Sequence, residues 1–476
     1  MIDGLKAYVE YRDSGVPWLE RVPMHWQIAR SKRLFSARKD LARPNDPQLS
    51  ATQAYGVIEQ AEFERRSGHR VVKISMHLDK RKHVEKDDFV ISMRSFQGGI
   101  ERAWASGAIR SSYVVLKPGL DVDANFFRYV LKSTGYIRAL QATGDFIRDG
   151  QDLNFANFVR VDLPLVPLAE QAAIARFLDW ANGRIERAIR AKRKVIALLM
   201  EQKQAIVQRG VSCGFDEGVT LKSSQVPWLG DIPSGWQVSR LKHCVTSIEQ
   251  GWSPQCDAQP AGDHEWGVLK VGCVNKETFG WRQNKKLPDS LHPDASLEVR
   301  DGDILVSRAN TRDLLGLAAL ADKPRPKLIL SDKLFRFRAK GKRFDSAFLV
   351  LTLRVKASRA QIESSTNGAS SSMQNIGQAV LKNLWLAVPP VVEQQAIVEQ
   401  VAIQVRPLNE AILRFEREIE LLREYRTRLV ADVVTGKLDV RDAAARLPED
   451  VTASIKAEPT DEADDLELIA DEATEA

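Results

Sequence analysis

The sequence carries one pattern twice. Residues Val16-Pro17-Trp18-Leu19, followed by Pro23 and Trp26, recur as Val226-Pro227-Trp228-Leu229, Pro233 and Trp236, at an offset of 210 residues. A second set recurs at an offset of 223, from Pro167, Glu170 and Gln171 to Val211 in one copy and from Pro390, Glu393 and Gln394 to Val434 in the other. Between these anchors the two halves share little. A duplication of this length predicts two domains rather than a solenoid of short repeats, and a repeated frame around divergent inserts is typical of a molecule that recognises two different things with one scaffold.

Length and composition favour a multidomain intracellular protein. At 476 residues the chain exceeds the size of a single hydrophobic core. It contains no apolar run of about 18 residues, which a membrane helix needs, and its first residues lack the pattern of a secretion signal. Four cysteines without a C-x-x-C pair are typical of reduced thiols, so we expect a cytoplasmic location.

Charge is distributed unevenly along the chain. From Arg441 to Ala476 there are twelve Asp or Glu and three Lys or Arg residues, a net charge of −9. Since the whole chain carries +6, residues 1–440 carry 6 + 9 = +15. Such a large positive charge on residues 1–440 indicates a polyanionic partner. The acidic segment 441–476 is predicted to be a disordered tail, and a solubility role for it is favoured over a regulatory one.

Each half ends in a predicted long helix, over residues 167–212 and 389–440. Both segments show apolar residues at three- and four-residue spacing, which predicts a coiled-coil seam. The seam comprises Ile174, Leu178, Ala181, Ile185, Ala188, Val195, Leu199 and Ile206 in the first helix and Ile397, Val401, Val405, Leu408, Ile412, Phe415, Ile419, Leu422, Tyr425 and Leu429 in the second. The first helix should end at Gly210 or Gly214 and the second at Gly436. At the 223-residue offset Asn182-Gly183 corresponds to Val405-Arg406, which Pro407 follows. We expect a bend in both helices there, with a break and a short linker as the alternative.

The sequence therefore predicts an α+β protein with an internal pseudo-two-fold. Two mixed α/β domains, over 1–166 and 213–388, should be joined by the two long helices paired as an antiparallel coiled coil. The variable regions run from about Gln27 to Leu165 and from about Gln237 to Val388, and the shared spacing of Val84, Asp88 and Ser92 with Val299, Asp303 and Ser307 suggests that they have one fold. Strands are expected at Ile304–Ser307, Leu328–Leu330 and Leu334–Phe337, and helices within 126–140 and 355–362.

Motifs of catalysis are absent from the sequence. No G-x-G-x-x-G follows a strand, and neither G-x-x-x-x-G-K-[ST] nor H-E-x-x-H occurs. Asp263-His264-Glu265 lacks a second histidine at ligand spacing, so an exposed loop is the better interpretation. His77 and His83 lie in a basic stretch and suit a phosphate-facing or solvated surface. We expect no metal and no cofactor on this chain.

Residue types that read DNA bases and contact phosphates follow the predicted strands. Arginine reads guanine, asparagine and glutamine read adenine, and lysine or arginine positions the phosphates. The base-reading candidates are Arg94, Gln97, Arg102, Arg110, Arg308, Asn310, Thr311 and Arg312. The phosphate candidates are Lys80, Arg81, Lys82, Lys285 and Lys286, with Lys340, Lys342 and Arg343. For any single one of these cations a solvated surface charge is the commoner role.

The duplicated frame resembles the DNA-specificity subunit of type I restriction–modification enzymes. The resemblance covers roughly residues 14–440 and lies in three motifs, each present twice: VPWLERVPMHW and VPWLGDIPSGW, PLAEQAAI and PPVVEQQAI, and AIVQRGVSCGFD and RLVADVVTGKLDV. The first helix exit, Val211-Ser212-Cys213-Gly214, departs from the pattern, and the acidic tail extends beyond the usual end of the family.

That resemblance implies two target-recognition domains, each reading half of an asymmetric bipartite site in double-stranded DNA. It implies that the helices dock two modification subunits, which bind S-adenosylmethionine and methylate adenine, and that two restriction subunits join with ATP and magnesium. Assembly contacts are expected from the two long helices. The candidates are Glu170, Gln171, Ile174, Leu199, Glu393, Gln394, Ile397 and Leu422.

Three other functions stay open at this point. The chain could serve a methylation-only or orphan system, modify DNA by itself, or act as a coiled-coil scaffold without nucleic acid. The absence of a cofactor motif from the sequence argues against a chain that modifies DNA by itself. The net charge of +15 on residues 1–440 argues against a scaffold without nucleic acid.

Helices of about 60 Å, at ~1.5 Å per residue, can separate two recognition domains by more than one DNA turn. We therefore expect that inserting residues near Ala188 lengthens the unread spacer of the preferred site, which methylome sequencing would measure. An unchanged spacer would contradict the idea that the helices set this length.

Overall fold

The computed structural model describes residues 5–68, 70–71, 80–92, 95–144, 153–256, 259–276, 278–341, 343–365 and 374–448. The chain divides into two compact units. Unit 1 comprises residues 1–192 and 416–476, and unit 2 comprises residues 193–415. Both long helices contribute a segment to each unit, so unit 1 is formed by two separate stretches of sequence, whereas unit 2 is one continuous stretch. The predicted domain boundaries at 166, 212 and 388 differ from the borders of these units, which lie after residues 192 and 415.

The elements before the first long helix belong to unit 1. Its strands are β1 (Tyr11–Asp13), β2 (Arg21–Pro23), β3 (Gln27–Ala29), β4 (Phe35–Arg38), β5 (Leu49–Thr52), β6 (Gly56–Glu59), β7 (Lys82–Val84), β8 (Phe89–Ile91), β9 (Glu101–Arg102), β10 (Gly107–Ile109), β11 (Val114–Pro118) and β12 (Leu163–Leu165). Its helices are α1 (Ser31–Leu34), α2 (Gln60–Ser67), α3 (Ser95–Gly98), α4 (Ala124–Val130), α5 (Thr134–Gln141) and α6 (Phe155–Phe158), and α7 (Leu168–Cys213) follows.

The elements between the long helices belong to unit 2. Its strands are β13 (Leu221–Ser223), β14 (Asp231–Pro233), β15 (Gln237–Arg240), β16 (Glu249–Gln250), β17 (Gly267–Leu269), β18 (Asn284–Lys286), β19 (Ile304–Ser307), β20 (Ala309–Asn310), β21 (Ala318–Leu320), β22 (Leu328–Ile329), β23 (Leu334–Phe337), β24 (Gln374–Asn375) and β25 (Trp385–Val388). Its helices are α8 (Leu241–Cys244), α9 (Ser346–Arg354), α10 (Lys356–Ser364) and α11 (Gln378–Lys382), with 3-10 turns at Val271–Val274 and Ala295–Leu297. The chain continues into α12 (Val391–Val434) and α13 (Arg441–Ala445).

The two inserts share one topology. Unit 1 has a four-stranded sheet in the order β4-β11-β8-β9 and unit 2 one in the order β16-β23-β19-β21, which is the same arrangement of first, fourth, second and third strand. All pairs within both sheets are antiparallel. Each insert is closed by pairing of its first and last strands, β3 with β12 and β15 with β25. These closing strands confirm the predicted limits of both variable regions, and the predicted strands at 304–307, 328–329 and 334–337 are confirmed as well.

The spacing shared by Asp88 and Asp303 has a structural cause. Asp88 accepts a hydrogen bond from the backbone N–H of Glu85 at 2.8 Å, and Asp303 accepts one from Arg300 at 2.8 Å. Both carboxylates are buried, and each also receives an arginine Nε, from Arg38 at 2.7 Å and from Arg338 at 2.6 Å. The aspartate therefore fixes the turn before the central strand in both inserts.

The long helices pair antiparallel in both units. In unit 1, Glu186 contacts Arg426 and Lys192 contacts Glu418, so that the partner number falls as the α7 number rises. In unit 2, the Nζ of Lys203 donates to the Oδ1 of Asn409 at 2.6 Å, and Gly210 lies beside Ile397. The predicted antiparallel coiled coil is confirmed. Val195 departs from the predicted seam, since 38% of its surface is exposed.

Neither helix breaks at its expected weak point. The helix α7 is continuous through Asn182-Gly183, and α12 is continuous with Pro407 inside it, so the alternative of a break with a short linker was wrong. Val405 and Ile412 on either side of Pro407 are buried, and their packing offsets the hydrogen bond that the proline cannot donate. Gly210 lies within α7, and the helix ends are followed by Gly214 and Gly436, with φ of +72° and +76°.

One glutamine at the start of each long helix fastens that helix to the insert of its own unit. The amide nitrogen of Gln171 donates to the carbonyls of Asp121 and Val166, and its oxygen accepts from the N–H of Asp123, the N-cap of α4. Gln394 does the same with the carbonyls of Arg343 and Pro389 and the N–H of Asp345, the N-cap of α9. Both side chains have no exposed surface.

The glutamate that precedes each of these glutamines fastens the start of the same long helix to the repeated tryptophan. The Nε1 of Trp26 donates to Glu170 at 3.0 Å, and the Nε1 of Trp236 donates to Glu393 at 2.8 Å. In unit 1, the hydroxyl of Tyr8 also donates to Glu170 at 2.6 Å, and burial together with this bond raises the pKa of Tyr8. A Cβ at Gly436 would lie 2.4 Å from Pro23 and 3.1 Å from Trp26, so the exit of α12 passes close over this tryptophan.

The fold extends past residue 440. Helix α13 buries Ala444 in the core of unit 1, and Arg176 donates to the carbonyls of Leu447 and Pro448. The prediction of a disordered tail from residue 441 was therefore wrong for Arg441–Pro448. The acidic run that follows lies outside the described residues.

The glutamine contacts predict a large effect of removing the amide. We expect Gln394→Leu to lower the free energy of unfolding by roughly 2–5 kcal/mol, because one N–H and two C=O groups lose their buried partner. Urea unfolding and faster hydrogen exchange at Ser346–Arg354 would measure it. The exposed neighbour provides a control: Gln395→Leu should change stability by less than about 0.5 kcal/mol. Equal effects of the two substitutions would contradict the role of Gln394.

Candidate nucleic-acid interface

Several predicted DNA contacts of unit 1 are engaged within the protein. Arg102 on β9 is 6% exposed, and its guanidinium donates to Asp87 and, at 2.8 Å, to Asn125, while lying 4.3 Å from the centre of the Trp104 ring. Such a side chain cannot extend to a base edge. The prediction that Arg102 reads DNA is therefore corrected: it stabilises the turn at Asp87, whose φ is +76°.

The basic run before β8 is only partly available to a ligand. Lys80 is exposed, but Arg81 is 7% exposed, and the Nζ of Lys82 donates to the carbonyl of Tyr113 at 2.5 Å. Burial lowers the pKa of Lys82. His83 is buried and lies 2.7 Å from Asp46, so the expectation of a solvated or phosphate-facing His83 was wrong. Lys80 alone of these residues has the exposure that a phosphate contact requires.

The segment between β8 and β9 keeps one candidate exposed. Gln97 lies in the single turn of α3 with its side chain exposed. Arg110, at the end of β10, is half-buried. The candidates Arg94, Lys342 and His77 lie outside the described residues.

In unit 2 the predicted candidates separate into buried and exposed ones. Asn310 is 9% exposed, donates to Asn275 at 3.3 Å and accepts from the N–H of Thr311, so its expected role in reading adenine is corrected to a turn-forming one. Arg308 is half-buried and donates to the carbonyl of Asp332 at 3.1 Å. Thr311 and Arg312 are exposed.

Of the two lysines on β18, one is exposed and the other is engaged within the protein. Lys285 is exposed, whereas the Nζ of Lys286 lies 2.7 Å from Glu265. The Glu265 carboxylate also accepts from the N–H of Gly262, and the Lys286 and Gly262 bonds lower its pKa. The Asp263-His264-Glu265 triplet thus contributes to an ion pair. In the part of the chain that the structure describes, no group of three His, Cys, Asp or Glu side chains could hold a metal ion.

Pairing between distant strands adds residues that sequence reasoning missed. Strand β20 pairs with β24, which places Asn310 opposite Gln374 and Ala309 opposite Asn375. The N–H of Arg308 donates to the carbonyl of Lys333. We define the β20 cluster as Arg308, Thr311, Arg312, Lys333 and Asn375. It combines the exposed Arg312 and the half-buried Arg308 and Lys333 with amide and hydroxyl groups, the chemistry that phosphate and base contacts need. No sequence pattern predicts that residue 375 lies beside residue 309, because the two are joined by strand pairing.

The two units carry different side chains at one pair of corresponding exposed positions. With the 215-residue offset of the aspartate motif, Gln97 in unit 1 corresponds to Arg312 in unit 2. Both follow the central strand of the repeated sheet, β8 and β19, and both are exposed. Arg312 forms only a 3.4 Å contact with Glu363, and an exposed pair of this kind is weak. A frame of one topology therefore presents glutamine in one unit and arginine in the other.

The predicted assembly residues fall into two groups. Gln171, Ile174, Gln394 and Ile397 are buried in the core of their own unit, and Glu170 and Glu393 hold the repeated tryptophans. Their expected contact with another subunit is corrected to the role of fastening helix to insert. Leu199 and Leu422 are half-buried on the long helices and stay predictions for assembly.

Unit 1 also contains a cavity of ≈ 430 Å³ between the insert and α7. At its wall, Arg128 and Tyr129 of α4 both contact Asp179 of α7. Burial raises the pKa of Asp179 and of Tyr129. These contacts fasten α4 to the long helix. None of the described helices combines the length and apolarity that a membrane crossing requires.

Comparison with known proteins gives one consistent family. Residues 233–412 match the family model of the type I restriction modification DNA specificity domain. The type I restriction enzyme EcoEI specificity subunit of Escherichia coli is 32% identical over 192 residues, covering 39% of this chain and 32% of that protein. The MjaVIII specificity subunit of Methanocaldococcus jannaschii is 27% identical over 297 residues, covering 60% and 64%. The chain thus aligns with less than two thirds of the length of each of these two relatives.

A solved structure supports the fold over most of the chain. A chain from a study of complex assembly and conformational transition of the type I R-M system superposes with a TM-score of 0.58 at 15% identity, covering 87% of this chain and 98% of that one. At this identity the likeness concerns the fold. Together with the family model and the related sequences, it leads to one conclusion: the chain is similar to type I restriction enzyme specificity subunits, and its residues 233–412 match their DNA specificity domain.

Proposed function

We propose that this chain is the DNA-specificity subunit of a type I restriction–modification complex. In this proposal each unit contacts one half of an asymmetric, bipartite site in double-stranded DNA. The observation that carries it is the duplication of one frame with different exposed side chains, Gln97 and Arg312, at corresponding positions. A repeated fold with equal side chains would read a symmetric site.

The proposed DNA contacts are of two kinds: contacts to phosphates, which position the protein on the DNA, and contacts to base edges, which read the sequence. Lys80 in unit 1 and Lys285 in unit 2 are exposed cations suited to phosphates. In unit 2, Arg312 would read guanine through its two-pronged guanidinium, with Thr311 and Asn375 beside it. In unit 1, Gln97 would read adenine. The excess of +15 over residues 1–440 would supply affinity that is independent of sequence and falls steeply with salt.

Chemistry would reside on the partners of this chain. We propose that it assembles two modification subunits, which bind S-adenosylmethionine and methylate adenine, and two restriction subunits, which use ATP and magnesium. The chain itself would bind no cofactor and catalyse no reaction. This role places it in the cytoplasm, where it meets DNA. A methylation-only system would use the same chain without restriction subunits, and purification of its partners distinguishes the two.

We expect Gln97→Ala and Arg312→Ala to relax specificity in different half-sites. Each should cost roughly 1–3 kcal/mol of discrimination at one position and leave the other half-site unchanged. Mapping methylated adenines made by the reconstituted complex measures both effects. Arg414→Ala, an exposed arginine of α12, is the matched control and should change neither half. Loss of discrimination in the same half-site for both variants would contradict the assignment of one unit to each half.

A second prediction concerns catalysis. The purified chain with S-adenosylmethionine should transfer no methyl group to DNA, and adding the modification subunit should start the transfer. Incorporation of radiolabelled methyl groups measures this. Methylation by the chain alone, unaffected by Arg312→Ala, would overturn the proposal in favour of a DNA-modifying enzyme.

A further inference from the structure

Strand register aligns the first strands of the two four-stranded sheets, β4 and β16. In each sheet the first strand is connected to the central strand through residues that lie directly opposite one another. These rows are Arg38, Val115 and Val90 in unit 1 and Glu249, Arg336 and Leu305 in unit 2. Since Val90 and Leu305 correspond at the 215-residue offset of the aspartate motif, Arg38 corresponds to Glu249, which is an offset of 211 residues (249 − 38).

Three residues further along each chain, this offset pairs two exposed apolar side chains, Leu41 and Trp252. Leu41 has 63% of its surface exposed and Trp252 has 38%. A single exposed apolar residue on a protein surface needs no explanation. The two inserts have diverged in sequence, however, and each still exposes a large apolar side chain at this one position of the shared sheet. The correspondence indicates a use that both units share.

In unit 1 the backbone that carries the exposed leucine is held by the basic segment before β8. Leu41 forms an antiparallel β-bridge with Lys82. The N–H of Ala42 donates to the carbonyl of Arg81 at 2.9 Å. Lys80, the exposed phosphate candidate of unit 1, immediately precedes Arg81 in the chain. The leucine is therefore fixed in place beside a cation that is proposed to contact DNA.

In unit 2 the backbone that carries the exposed tryptophan is held on both sides. The N–H of Trp252 donates to the carbonyl of Leu330 at 3.0 Å. A Cβ at Gly251 would lie 1.9 Å from the same carbonyl oxygen, so only glycine fits at the position before the tryptophan. On the other side, the hydroxyl of Ser253 accepts from the N–H of Asp332 at 3.1 Å and donates to the carboxylate of that residue. The indole thus extends from a fixed backbone.

The fixed tryptophan adjoins the β20 cluster. Asp332, which is bonded to Ser253, also accepts from the guanidinium of Arg308 through its carbonyl at 3.1 Å. The carboxylate of Asp332 lies 3.2 Å from the Nζ of Lys333. Since Arg308 and Lys333 are members of the β20 cluster, Trp252 adds to this cluster an aromatic surface that its other members lack.

We propose that Leu41 and Trp252 each read the 5-methyl group of a thymine, one in each half of the DNA site. The polar readers of the proposed function recognise hydrogen-bond donors and acceptors of the bases. The methyl group of thymine is neither, and apolar side chains recognise it in the major groove. Most of the Trp252 side chain is packed against the protein, so it presents a surface to a methyl group and not a wedge that could enter between bases.

The inference rests on the proposed function and deepens it, because it adds thymine to the bases that the two units distinguish. Hydrogen bonds from Gln97 or Arg312 to adenine or guanine leave the thymine methyl without a contact. An apolar residue at the corresponding position of each unit supplies that contact separately in each half-site. The difference in size between leucine and tryptophan allows the two units to meet methyl groups at different distances from the protein.

The test removes the methyl group from the DNA and the apolar side chain from the protein. Deoxyuridine pairs as thymine does and lacks only the 5-methyl group. The complex of the full chain with its modification subunit is titrated with synthetic duplexes of the recognition site found by methylome sequencing, in which each thymine in turn is replaced by deoxyuridine. For the unaltered complex, we expect one replacement in each half-site to raise the Kd roughly fourfold, the effect of one buried methyl group. Fluorescence anisotropy of the labelled duplexes measures it.

The protein variants should remove this effect in one half-site at a time. In the Trp252→Ala complex, the deoxyuridine effect should disappear from one half-site and persist in the other. Leu41→Ala should do the reverse, because a lost side chain and a lost methyl group that contact one another are not additive. Trp252→Phe keeps an apolar ring and should retain the deoxyuridine effect, which distinguishes loss of the methyl contact from a change in the shape of the loop.

The chain provides a matched control for each variant. Trp228 of unit 2 is 44% exposed and Leu120 of unit 1 is 97% exposed, and neither belongs to the proposed DNA contacts. Trp228→Ala and Leu120→Ala should therefore leave the deoxyuridine effect unchanged in both half-sites.

The outcomes separate the inference from the function on which it rests. A deoxyuridine effect that persists undiminished in Trp252→Ala and Leu41→Ala, or that disappears from the same half-site in both, would overturn the thymine contacts while leaving the proposed function standing. A bipartite site in which no thymine responds to the loss of its methyl group would do the same. A complex that recognises no bipartite site would instead overturn the proposed function.

Discussion

The buried amide of Gln171, and of Gln394 in the second copy, is the contact on which the rest of the architecture depends. Each side chain satisfies two carbonyls and one N–H that would otherwise be buried without a partner. One of those groups is the N-cap of the insert's own helix, α4 or α9. The amide thus joins the end of the insert and the start of a long helix, which are adjacent in sequence, to an internal helix of the insert that lies 48 or 49 positions away.

The adjacent glutamate extends this junction to the repeated tryptophan. Trp26 and Trp236 are buried, and each donates its indole N–H to the glutamate of the same unit. In unit 1 the tryptophan also contacts the glycine that ends α12. Because these contacts are confined to the frame, the outer surface of an insert can change without loss of the junction. This explains how one sheet topology carries Gln97 in one unit and Arg312 in the other.

Much of the fold could be predicted from the sequence, and for identifiable reasons. Because the two copies within one chain can be compared with each other, the starts of the long helices and the positions of the repeated tryptophans could be predicted. The limits of the inserts, from Gln27 in the first to Val388 in the second, could be predicted as well. The shared spacing of Asp88 and Asp303 correctly indicated a common fold. The candidate site was less predictable. Arg102, Arg81, Lys82 and Asn310 have the residue types of DNA contacts, but each is held by neighbours that only folding brings near.

The sequence by itself determined the frame: two inserts, two long helices and a duplicated junction. Periodicity and repeated motifs are local properties of a chain, and the helices follow from them directly. Tertiary structure alone decided which polar side chains are available to a partner. Exposure depends on ion pairs and hydrogen bonds between residues such as Lys286 and Glu265, or Arg38 and Asp88, which lie 21 and 50 positions apart. Those pairings are set by strand order and register, and no local pattern of residue types contains that information.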